Sequence, residues 1–262
     1  VFATYSVIDN NFVDLYKSAV NSVSGRPLVV DVNGRSINYP STIRFGGSYQ
    51  PGTVINNTNR FFAENFDDYN LAFGKIKRFS ERDKVLRVFQ ELKCGMVPVY
   101  QQIIKDSVGN DVLAQSDKLL NKIQYYIGNY GIGDCPESLA SNNYADYFID
   151  NRRGVICRLS MDGLTPISVV FNINSWATKH LPLRGGAAKA YGVFDSEFNR
   201  YVLSLEVSGT SPAETIMFSE KGKEAKGFES FADLFPELLV CLHTVLFSFS
   251  GGRMFAHDNQ AL

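Results

Sequence analysis

The sequence predicts a mainly all-β protein of β-propeller-like blades: short antiparallel strands with few short helices. Three observations point there. Aromatic residues make up 13% of the chain, with 20 Phe and 13 Tyr, and aromatics fit the pleated, half-buried surface of a sheet. Short alternating runs recur between clusters of Asn, Asp, Gly and Ser, the residues that turns favour. Two such hairpins repeat with Asp150 and Asp195 in matching places, 45 residues apart. Blades of four short strands recur about every 40–50 residues, so the chain holds roughly five to six blades' worth.

Taken in order, Asp9–Ala19 reads as a short helix capped by Asp or Asn. Residues 21–60 are rich in Gly, Pro, Asn and Ser and read as loop or irregular β structure. A border near residue 60 gives an irregular segment, 1–64, either part of the first blades or separate, and a propeller-like domain, 65–262. There Gly74–Phe79 turns at Glu81-Arg82-Asp83 into Val85–Gln90. Ser116–Asn121 reads as a turn or a helical turn before Ile123–Tyr126. Tyr147–Ile149, the turn Asp150–Gly154 and Val155–Leu159 make a hairpin, and Met161–Leu164 is a tight turn centred on Asp162-Gly163. Ala190–Phe194 and Tyr201–Gly209 flank a second such turn. Glu214–Phe218 pairs with Gly227–Phe231, Ser230–Phe235 before Pro236 reads as a helical turn, and Thr244–Phe249 turns at Ser250-Gly251-Gly252 into Arg253–His257.

The chain has 262 residues, is 45% hydrophobic and 20% charged, and carries a net charge of -1. That balance excludes a strongly basic nucleic-acid binder, though not a local basic patch. No apolar run approaches the roughly 20 residues of a membrane-spanning helix. Cys94, Cys135, Cys157 and Cys241 are irregularly spaced, with no C-x-x-C pair, so they read as free and mostly buried, as in a reducing cytosol. No signal peptide is written at the start, and both ends read as cuts in a larger polypeptide.

Catalytic signatures are absent: no P-loop, no G-x-S-x-G, no H-E-x-x-H. Gly128–Gly133 has the wrong spacing for a dinucleotide loop and reads as a turn. His180, His243 and His257 are too scattered to converge on a metal, and His257-Asp258 reads as loop or core. Cys241 and His243 are set two apart on a strand, a poor nucleophile–base geometry. Catalytic, cofactor and metal assignments are therefore all "none". Glu137, Asp146, Asp150 and Asp195 are the acids a propeller glycosidase would need to gather, although Asp150 and Asp195 sit where turns favour Asp. Trp176, Tyr125, Tyr126, Tyr130, Tyr144 and Tyr147 would be its sugar-stacking surface, against the plainer role of packing between blades. Lys75, Lys77, Arg78, Arg82, Lys84 and Arg87 form a modest basic cluster that reads as a solvated hairpin face or a contact with DNA. Asn56-Asn57-Thr58 is a formal glycosylation sequon.

Several longer motifs belong together. They are Val85–Glu91 with Val97–Tyr100, Ser116–Asn121, Tyr130–Ser138, Arg153–Ser168, Phe228–Phe231, Pro236-Glu237, Ser248–Arg253 and His257–Asn259. Within them stand Pro136, Glu137, Arg153, Gly154, Arg158, Asp162, Gly163 and Pro166. From about residue 65 to 259 the chain resembles the β-propeller virion proteins of crAss-like bacteriophages of gut Bacteroidales, of the tail muzzle or stabilisation type. It departs at Lys226-Gly227-Phe228, where the family's aromatic-Thr-Ser-Phe motif leads one to expect a Trp.

The resemblance implies a non-enzymatic tail component, made in the bacterial cytoplasm and carried in the virion. It implies no cofactor. It implies homo-oligomeric rings around the portal–tail axis, with other tail and portal proteins as partners, helping close or guide the DNA exit path. The alternative is a propeller that binds or cleaves glycans, including a host-receptor role.

Overall fold

The computed structural model describes residues 38–47, 58, 61–105, 111–182, 189–206, 214–221, 226–232, 234 and 236–257. The helix expected over Asp9–Ala19, most of the irregular stretch 21–60, Asn56 and Asn57 of the sequon, and Asp258 lie outside these residues. The chain divides into two compact units, 1–71 with 98–122, and 72–97 with 123–262. In the smaller unit, β1 (Thr42–Arg44) pairs antiparallel with β2 (Phe66–Asp68). The Thr42 hydroxyl donates to Asp68 across that pair.

In the larger unit, β3 (Ile76–Arg82) and β4 (Val85–Gln90) form the expected hairpin. Its turn is Asp83-Lys84, one step beyond the expected centre. Both residues have positive φ, 52° and 61°. That is the type I′ geometry, whose twist matches that of the flanking strands. Next comes β5 (Cys94–Lys105), whose later part pairs in the smaller unit with β6 (Asp111–Leu120). Ser116–Leu120, expected as a turn or helical turn, belongs to β6, although within it only Leu120 pairs with β5, opposite Val99, where the register shifts. Back in the larger unit, β7 (Gln124–Tyr125) pairs with the start of β5.

Two four-stranded meanders follow. The first is β8 (Ala140–Ser141), β9 (Ala145–Asp150), β10 (Val155–Ser160) and β11 (Gly163–Pro166). Ser160 pairs with Gly163, so the tight turn is Met161-Asp162, and Gly163 opens β11 at φ 107°. Then come α1 (Ile167–Val170) and α2 (Asn174–His180), which the sequence does not announce. The first is a β-branched run and the second lacks a capping side chain. They are held by burial: Ile167, Ala177 and Leu181 enter the core, and the Ile156 N–H donates to Ser168 Oγ at 3.1 Å. The second meander is β12 (Lys189–Asp195), β13 (Arg200–Glu206), β14 (Glu214–Ser219) and β15 (Gly227–Ala232). Ser230–Ala232, expected as part of a helical turn, instead extends β15 along β14. A three-stranded meander closes the series: β16 (Leu238–Leu242), β17 (Val245–Ser250) and β18 (Arg253–His257).

These last three sheets begin at residues 140, 189 and 238, a constant step of 49. The expected equivalence of Asp150 and Asp195 fails, because Asp150 ends a second strand and Asp195 a first strand. The first strands lie side by side: β12 packs against both β8 and β16. The approach is close, since a Cβ on Gly192 would sit 2.1 Å from the Ser138 carbonyl oxygen. Successive antiparallel meanders with neighbouring first strands are the arrangement of propeller blades.

Strand alternation explains the stacking. On β9, Tyr147 and Ile149 point one way and Phe148 the other. Tyr147, Ile149 and Ile156 meet Phe194, Tyr201, Leu203 and Phe218 of the β12–β15 sheet. Phe148, Cys157 and Leu159 meet Phe89 and Cys94 on the other face. Val193, Val202 and Met217 meet Leu239 and Leu246 of the last sheet. Every residue of β9 is buried, as a strand covered on both faces must be.

Candidate functional site

The four acids do not converge. Asp146, wholly buried, binds Arg82 Nη2 at 3.1 Å, Ser80 Oγ at 3.2 Å and the Arg87 guanidinium. Asp150, also buried, accepts from the backbone N–H groups of Arg152 and Arg153 and pairs with the Arg153 side chain at 2.9 Å. Asp195 repeats the device at its own turn, with Glu197, Phe198 and Arg200. Glu137 is exposed in the 3-10 turn Pro136–Ser138. Along β9, Asp146 and Asp150 stand about 13 Å apart. That exceeds the roughly 5–9.5 Å between glycosidase carboxyls.

The aromatic candidates are mostly structural. Tyr147 lies in the first core, and its hydroxyl donates to Glu220 at 2.5 Å. Trp176 donates from Nε1 to Glu214 at 2.8 Å and stacks on His180. Tyr125 packs edge-on to Phe73, and Tyr126 and Tyr130 back the second core. Tyr144 alone is largely exposed, at 74%.

The basic cluster divides. Arg82 and Arg87 are spent on Asp146, and Lys77 bridges Glu91 and Asp134 at 3.3 and 3.2 Å. Lys75, Arg78 and Lys84 remain on the surface. The motif residues lie in turns, strands and at helix starts. Arg158 Nε donates to Glu220 at 2.6 Å, and Gly154 holds φ 66° against α2. Pro136 opens the 3-10 turn, Asp162 lies in the exposed β10–β11 turn, and Pro166 precedes α1. In Lys226-Gly227-Phe228, the stretch where a Trp was expected, Lys226 pairs with Glu220 at 2.8 Å.

The nucleophile candidates are muted. Burial pushes the Cys94 and Cys157 thiols well up, and burial with the nearby Glu137 and Asp134 charges pushes Cys135 up to about 12. The Cys241 thiol faces the His243 carbonyl and not its ring. Ser248 Oγ and His257 Nε2 are 2.6 Å apart, but Ser248 is buried within the sheet stack. No group of three His, Cys, Asp or Glu side chains among the described residues is placed to hold a metal. No described helix is long and apolar enough to cross a membrane.

What does converge is two turns at one end of neighbouring sheets. Asn142, Asn143 and Tyr144 from the β8–β9 turn, and Phe194, Ser196 and Asn199 at the β12–β13 turn, line an open cleft of about 370 Å³. Asn142 is fixed. Its Oδ1 accepts the Tyr144 and Ala145 N–H groups at 2.8 and 2.6 Å, and its carbonyl accepts Arg82 at 2.6 Å. Asn199 takes a left-handed φ of 51°, which Asn tolerates. The lining has amides, hydroxyls and aromatic rings but no carboxylate, imidazole, amine or thiol. It is suited to hold a neutral polar ligand. Of this lining only Tyr144 was legible as a candidate, since Asn and Ser in turns read as turn formers. Comparison with known proteins adds nothing further: no family model matches the chain, and no curated protein matches it.

Proposed function

We propose that this chain is a non-enzymatic structural protein of a bacteriophage virion, a tail component of the muzzle or stabilisation type. It assembles with tail and portal proteins around the portal–tail axis and helps guide the DNA exit path. The reading rests on the resemblance of the sequence motifs to those of the crAss-like virion proteins. The observation that best supports it is how the charged side chains are spent: Asp146, Asp150 and Asp195 each tie down an arginine and a turn or a sheet contact. Such residues rigidify a scaffold. Contact with DNA would fall to Lys75, Arg78 and Lys84. Immunogold labelling of density-purified crAss-like particles with antibody against this chain tests the reading. Label at the tail is expected; unlabelled tails overturn it.

A second reading, glycan recognition, is favoured by one observation, the uncharged cleft lined in part by the exposed Tyr144. On a glycan array it predicts binding that Tyr144→Ala abolishes. No binding by the unaltered chain counts against it.

A further inference from the structure

The β16–β18 sheet has one face against the third core and another that joins none of the described cores. Register fixes the second face: Leu238 opposite Phe249 opposite Met254, Val240 opposite Phe247 opposite Ala256, and Leu242 opposite Val245. All eight positions are apolar. Leu238, Leu242 and Met254 are 49, 58 and 62% exposed. A solvated sheet face normally alternates to polar residues, so an uncharged face is the mark of an interface.

We propose that this face pairs with the same face of a second copy of the chain, sheet on sheet, about a two-fold axis. Relief is the first argument. The row Leu238–Phe249–Met254 is a ridge of three long side chains. The next row, Val240–Phe247–Ala256, is low at both ends. In a two-fold arrangement the ridge of each copy settles on the low row of the other, which is the self-complementarity an isologous interface requires. Continuity is the second. The same sheet is already stacked through Leu239 and Leu246 on the β12–β15 sheet, so the second copy adds one more layer of the same kind. No charge is buried in doing so. The face offers on the order of 500 Å² per copy, about the lower bound of a specific interface. The dimer is therefore reversible.

Sedimentation equilibrium of the full chain across a wide concentration range tests this apart from any virion experiment. A monomer–dimer equilibrium is expected, weakened at least tenfold by Ala256→Trp, which fills the low row from an exposed edge strand, and by Phe249→Glu. Far-UV circular dichroism checks that both variants fold. A chain monomeric throughout, one that forms larger rings, or a dimer indifferent to Ala256→Trp overturns the proposal.

Discussion

Asp146 faces two guanidinium groups inside the protein, and its own side chain is wholly out of solvent. Removing one partner from a buried ion cluster leaves the others uncompensated, at a cost of about 3–5 kcal/mol. Asp146→Asn is expected to lower unfolding free energy in urea by about that much, while Asp162→Asn in an exposed turn changes it by less than about 0.5 kcal/mol. Glu220 gives a pH signature. Burial alone would raise its pKa, but hydrogen bonds from Lys226 and Tyr147 and the charge of Arg158 outweigh it and hold the carboxyl below its ordinary 4.5. A depressed folded-state pKa adds stability above the unfolded value and loses it as pH falls through the folded one. Glu220→Gln is therefore expected to be less stable at neutral pH, with the gap to the unaltered protein closing in acid below 4.5. Denaturant titrations at several pH values read that gap. None of these partnerships was legible in the sequence, because Arg82 and Asp146, or Arg158 and Glu220, meet only when sheets stack.

Among elements, the hairpins were the legible part. Their alternation and turn residues are local, so β9–β10, β12–β13, β14–β15 and β17–β18 stand where the sequence placed them. What local chemistry could not show is how a partner strand captures a segment. The end of β15 carries a helical-turn pattern and is strand because β14 lies alongside. The two helices are the converse: a β-branched run and an uncapped segment made helical by what they bury. The β3–β4 turn yields a prediction at this scale. Lys84 holds φ 61°, which costs a side-chain-bearing residue about 1–2 kcal/mol that glycine avoids. Lys84→Gly is expected to stabilise the protein by about 1 kcal/mol in thermal or urea unfolding, because the turn prefers Asp-Gly. Loss of stability would contradict the turn assignment.

At the scale of the larger unit, the sheets stack in chain order, and each inner sheet is apolar on both faces. The period was visible in outline but was misphased, since Asp150 and Asp195 mark different hairpins and the true step joins first strands. The neutral cleft was hidden for a related reason: its walls are two turns from different sheets, each ordinary alone. The stack and its exposed apolar end suit a building block whose role is to be joined to others. Quantitative mass spectrometry of density-purified crAss-like particles, following the tryptic peptide Leu159–Lys179 with the chain's single Trp, tests that role most directly. Several copies for each portal ring are expected. The peptide found only in the soluble fraction, and absent from particles, would contradict it.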